Sequence, residues 1–166
     1  MTEVMGIGFG SLRPCLLRRS GRAHCWGTES RSLLPENPLP ASAEVAGLSD
    51  GTRIKGLLVL RATGELVALD QAEDAARWRA TAIMPEIHDA VDMAGTDKDG
   101  CAVRKTGAVV CWGGNGAGQL GDGGTASRPS PGPVSELGDA VRVWAGGAHA
   151  CAERRSGLLV CWGLND

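Results

Sequence analysis

The chain has 166 residues and a formal net charge of −2, without the basic excess of a general nucleic-acid binder. Glycine stands at 25 positions, Tyr is absent, and five Trp accompany a single Phe. This is the composition of a turn-rich fold and not of a helical bundle or a disordered tail. No apolar run approaches the about 18 residues of a membrane span. The opening stretch MTEVMGIGFGSLRPC lacks the basic-then-apolar pattern of a secretory leader.

In chain order the sequence reads as a repeat array. Residues 1–14 supply a lone strand ahead of the first full unit. Residues 15–57 open on CLLRRSGRAHCWG, in which Gly stands six after the first Cys and the second Cys ten after it. Residues 58–100 open on an eroded copy, LVLRATGELVALD, with Leu58 and Ala68 at the cysteine positions. Within this unit, residues 70–82 (DQAEDAARWRATA) have the one composition suited to a helix and are read as an insertion or irregular loop. Residues 101–150 open on CAVRKTGAVVCWG, and residues 151–166 on CAERRSGLLVCWG. The starts lie 43, 43 and 50 residues apart. A second pattern, apolar-x-x-apolar-x-Asp, keeps phase with the first and ends at Asp50, Asp89 and Asp139.

This period fits a β-propeller blade, each a small antiparallel sheet. Short apolar stretches flank a Gly turn, as in a hairpin, and Val141 and Val143 alternate with Arg142 at the two-residue period of a strand. The expectation is an all-β fold of about three to four four-stranded antiparallel blades.

With Lys105-Thr106-Gly107 as a three-residue hairpin loop and Gly107 left-handed, Val103 faces Val109 and Cys101 faces Cys111. The same count sets Cys15 opposite Cys25 and Cys151 opposite Cys161. Opposed positions bring the Cβ atoms near disulfide range. Two readings stand side by side: three cross-strand disulfides, or small buried apolar residues, as Leu58 and Ala68 are in the eroded copy. The first implies an extracellular or envelope location and the second a cytoplasmic one. A redox pair lacks its Cys-x-x-Cys loop, and zinc lacks a knuckle.

The run CWGGNGAGQLGDGG, followed by VSELGDAVRVWAGGAHAC, resembles the repeat of the regulator of chromosome condensation family. The signature residues are Trp112, Gly113, Asn115, Gly118, Gln119, Leu120 and Gly121. Trp26 and Gly27 in the first unit, and Trp162, Gly163 and Asn165 in the last, keep parts of it. The resemblance implies blades around a central channel. In the best-known members there are seven, so this array reads as incomplete relative to a full ring: a fragment of a longer propeller, or one arc of a homo-oligomer. It also implies a protein partner. Precedents are nucleotide exchange on a small GTPase and, in a bacterial relative, inhibition of a secreted enzyme.

Catalytic patterns are weak throughout. Residues 116–121 satisfy G-x-G-x-x-G, but DGGTASRPSPGP follows where a helix must begin. GTDKDG, from Gly95, lacks the acidic first and twelfth ligands of a calcium loop. Ser20 and Ser156 have no phased His and Asp. No catalytic residue, cofactor or metal is expected. The functional expectation is a non-catalytic interaction or scaffold module. Candidate partner-binding residues are Arg18, Arg61, Arg104 and Arg154, which share one repeat position and would form a basic arc open to an acidic partner, with the three Asp in a separate acidic arc. Trp78, and after it Trp144, are the aromatic candidates.

Overall fold

The structure is a computed structural model that describes residues 3–10, 13–26, 43–71, 77–96 and 98–165. Gly27 of the partial signature and residues 72–76 of the expected insertion lie outside the described residues.

Fifteen strands are present among the described residues. The strands group into four blades, the first two continuous in one eight-stranded sheet; the first blade holds β1 (Val4–Gly10), β2 (Arg13–Arg18), β3 (Ala23–Cys25) and β4 (Ala43–Ala46). The second holds β5 (Gly51–Lys55), β6 (Leu58–Arg61), β7 (Leu66–Gln71) and β8 (Trp78–Ala82). The third holds β9 (Ala90–Gly95), β10 (Gly100–Arg104), β11 (Val109–Gly113) and β12 (Arg128–Pro133). The fourth has three strands, β13 (Ala140–Ala145), β14 (His149–Arg154) and β15 (Leu159–Gly163). Within each, neighbours in sequence pair antiparallel, as expected of blades. The sequence repeat, counted from its cysteines, begins at the second strand of each blade.

Two features depart from expectation. Strands β4 and β8 pair in parallel, Val45 opposite Trp78, and so join the first two blades along their outer edges. Residues 78–82, expected in a helix-prone insertion, are the outer strand of the second blade. Its polar residues face outward while Trp78 fills the core, so tertiary pairing overrides local propensity.

The β10–β11 hairpin has the expected register, with Val103 opposite Val109 and Cys101 opposite Cys111. Gly107 takes φ +91°, and its N–H closes the turn on the Arg104 carbonyl. All three cysteine pairs, Cys15–Cys25, Cys101–Cys111 and Cys151–Cys161, are disulfides. The second blade places Leu58 opposite Ala68 at the same site, buried and unbonded.

Three apolar cores fill the spaces between consecutive blades. The first packs Leu17, Ala23 and Cys25 against Leu48 and Ile54. The second packs Leu60, Leu66 and Ala68 against Ile87 and Met93. The third packs Val103, Val109 and Cys111 against Leu137 and Val143. The apolar-x-x-apolar-x-Asp segment is therefore a lead-in that plugs each new blade onto the previous one.

Candidate functional site

Each blade is tied to the next by the same polar joint. The turn glycine of one blade accepts a hydrogen bond from the first inner-strand N–H of the following blade: Gly51 to Gly21 at 2.9 Å, Ala90 to Gly64 at 3.0 Å, Ala140 to Gly107 at 2.9 Å. The acidic residue just before that strand receives the arginine of its own hairpin. Arg61 Nε donates to Asp50 at 2.8 Å, Arg104 Nε to Asp89 at 2.7 Å and Arg154 Nε to Asp139 at 2.7 Å. In the first blade Arg19 pairs with Glu3, and its N–H donates to the Glu3 carbonyl as Lys105 does to that of Asp89. Where separate basic and acidic arcs were expected, the arginines and acidic residues meet in one row of ion pairs, one to a blade. Arg61, Arg104 and Arg154 are committed to positioning the turns, and Arg18 holds the matching slot in the first blade. Spacing carried the clue, since Asp89 precedes Arg104 by the same interval as Asp139 precedes Arg154.

The signature loop is architectural in the same way. Asn115 is buried, its Nδ2 donating to Asp122 Oδ1, Gly124 O and Ala126 O, while its Oδ1 accepts the Leu120 N–H at 2.9 Å. This folds residues 115–127 into a closed loop. Trp162 of the fourth blade then donates from Nε1 to the Gln119 carbonyl at 2.8 Å. A Cβ on Gly121 would lie 2.8 Å from that indole nitrogen, so glycine is required there. Trp112 holds the same position one blade earlier and is buried, but the second repeat lacks the Gly-Gln-Leu-Gly loop, and among the described residues the Trp112 Nε1 has no hydrogen-bond partner. Asn165, the counterpart of Asn115, is exposed. Gly113 and Gly163 take matching φ values of +103° and +99°, and Gly118 +75°.

Asp122 is held below its ordinary pKa, first by the Gly124 N–H, against desolvation, with the Asn115 amide and Arg128 adding to the effect. The loop is thus an anionic acceptor satisfied from within.

A less regular cluster occupies the inner strands. Asp92 on β9 is fully buried. Its Oδ1 accepts Arg53 Nη1 at 3.0 Å, and its Oδ2 accepts Lys55 Nζ at 3.2 Å and the Val143 N–H at 3.0 Å. Lys55 also donates to the Val143 carbonyl at 3.0 Å, so one carboxylate and one ammonium join three consecutive blades. Arg53, Asp92 and Arg142 hold the same slot in successive inner strands. That alternation of sign was readable in the sequence once the strands were aligned.

Beside this cluster the ends of the inner strands leave a cleft of about 500 Å³, lined by Lys55, Thr96, Asp99 and Trp144 among others. Trp144 is 44% exposed, with Lys55 Nζ 6.0 Å from its ring centroid. Trp78 is 2% exposed and packs in the first core, which removes it as a surface anchor. Among the described residues no three His, Cys, Asp or Glu side chains group to hold a metal. No helix there is long and apolar enough to cross a membrane.

Comparison with known proteins places this geometry. The family model for the regulator of chromosome condensation (RCC1) repeat matches residues 106–152. No curated protein sequence matches the chain. Human WBSCR16 aligns in structure over 98% of this chain and 48% of its own, with TM-score 0.70 and 17% identity. Prp20p of Saccharomyces cerevisiae, characterised together with its binding to Gsp1p and histones, aligns over 98% of this chain and 45% of its own, with TM-score 0.68 and 16% identity. The yeast protein bound to Kap60 aligns at TM-score 0.66 and 15% identity, over 98% of this chain and 44% of its own. The chain therefore spans about half the length of these structures. Residues 106–152 carry a regulator of chromosome condensation repeat, set in a propeller-type array of blades whose fold is shared with proteins of that family.

Proposed function

We propose that the chain is a non-catalytic protein-interaction module whose contact surface is the inner-strand cleft around Trp144. The observation that carries this reading is an exposed indole held on a rigid strand, with a cation beside its face and a cleft next to it. Binding surfaces draw most of their energy from a few such anchors, Trp foremost. The polar clusters described above are satisfied from within, which leaves them a structural and not a chemical role. That a propeller of the same fold, Prp20p, binds proteins supports a protein partner here.

The test compares proteins retained from a native-host extract by the immobilised chain and by Trp144→Ala. A partner retained by the wild type should bind the variant at least about tenfold more weakly, as loss of an anchor worth about 2 kcal/mol requires. Retention of the same proteins at the same strength would refute the site, and retention of nothing would refute the function.

A further inference from the structure

The polar joint and apolar core between blades occur three times inside the chain, and its two halves are each left open once more. At one end is the face that should receive a following blade. Ala23, Leu66 and Val109 hold one slot of that face and are buried, whereas Leu159 in the same slot is 65% exposed. Cys25, Ala68 and Cys111 are buried, and Cys161 is exposed. A Cβ on Gly21, Gly64 or Gly107 would collide with the backbone of the next lead-in segment. Gly157, with φ +85°, meets nothing within 4 Å.

At the other end is the plug. Ile54, Met93 and Val143 are the inner-strand residues that insert into the preceding blade, and all are buried. Ile7 holds that slot in β1 and is 59% exposed, with Met5 and Phe9 exposed beside it. Glu3 stands where Asp50, Asp89 and Asp139 stand, already bound to the hairpin of its own blade. Val4 is the counterpart of Gly51, Ala90 and Ala140, whose N–H groups bind a turn glycine of the preceding blade.

We infer that two copies of this chain associate head to tail, the Ile7 face of each seated on the Gly157–Leu159 face of the other. The interface continues one already built three times in the chain: Val4 N–H on Gly157 O, Ile7 against Leu159 and Cys161. A head-to-tail contact either closes into a ring or grows without limit. Four blades per copy, the first two joined in one eight-stranded sheet, give eight for two copies, at the upper end of the about 4–8 blades that propellers use, while three copies exceed it. Glu153 sits where Leu17, Leu60 and Val103 are apolar, paired to Arg142 at 3.7 Å, so this joint is weaker than the internal ones and the dimer dissociates on dilution.

The test is sedimentation velocity of the whole chain at about 1 and about 100 µM. The expected mass at the higher concentration is twice the 17.1 kDa of the chain. Ile7→Asp and Leu159→Asp should each raise the dimer dissociation constant at least tenfold. Both sites are exposed in the single copy, so the blades stay folded, as circular dichroism would check. Val91→Asp, at an exposed site on an inner strand, should leave the dimer intact. A monomer at about 100 µM overturns the inference, as does a dimer that survives both face substitutions or a ladder of growing masses.

Discussion

The turn glycines allow the blade joint to be tested by two substitutions that are locally alike and globally different. Gly107→Ala and Gly157→Ala both place a Cβ on a left-handed backbone, with φ +91° and +85°, at a cost of roughly 1–2 kcal/mol. At Gly157 nothing else lies within 4 Å, so the loss in the monomer ends there. At Gly107 the new Cβ would sit 2.6 Å from the Gly138 carbonyl oxygen and 2.9 Å from the Asp139 Cα, backbone atoms that cannot rotate aside. Relief requires the third and fourth blades to part. Overpacking costs about 1–3 kcal/mol, and the Ala140 N–H to Gly107 carbonyl bond contributes about 1 kcal/mol more. The expected losses are about 3–6 kcal/mol for Gly107→Ala and about 1–2 kcal/mol for Gly157→Ala. Urea unfolding followed by Trp fluorescence, at concentrations where both variants are monomeric, measures them. Equal losses would refute the joint as the feature that couples blades.

Further outcomes follow from the polar clusters and the disulfides. A double-mutant cycle on Arg104→Met and Asp89→Asn should return a coupling of about 1 kcal/mol, as a partly buried charge-assisted bond gives; zero coupling would mean the pair only decorates the turn. Arg53→Met with Lys55→Met leaves the buried Asp92 carboxylate without its cations and should cost about 3–5 kcal/mol by the same unfolding assay. Asp122 has its pKa depressed in the folded chain, so the stability it adds is present above its unfolded value near about 3.9 and is lost as pH falls through the folded one. Wild-type stability should therefore decline in acid below about pH 4, and Asp122→Asn should flatten that limb of the unfolding curve. Limiting reductant should open Cys151–Cys161 before the other pairs, because Cys161 is exposed while Cys25 and Cys111 are buried; mass mapping of alkylated thiols gives the order.

Much of this architecture is local and therefore legible in sequence. The hairpin, its Gly turn and the facing cysteines follow from the two-residue period of a strand and the loop length, and the structure keeps that register. The compartment-dependent choice between disulfide and buried thiol was not legible, because both satisfy the same geometry. Residues that meet across a joint were harder. Arg104 and Asp89 were each visible as repeat positions, but a one-dimensional reading put them on different arcs instead of in one ion pair. Trp78 reads as an exposed aromatic within an Ala- and Arg-rich run, and the pairing of β8 with β7 and β4 buries it. Asp92, Lys55 and Trp144 do not share a motif. Aligned inner strands bring them together, so the cleft emerges only with the packing.

The repeated joint between blades is tested most directly by amide hydrogen exchange at Gly51, Ala90 and Ala140. Each lies at the start of an inner strand, where its N–H reaches a carbonyl in the neighbouring blade. Protection within about tenfold of the central strand amides, Ala102 and Val103, is the predicted result, lost at Ala140 alone in Gly107→Ala. Exchange of all three at the rate of open loop amides would contradict it, since the blades would then be strung together and not packed.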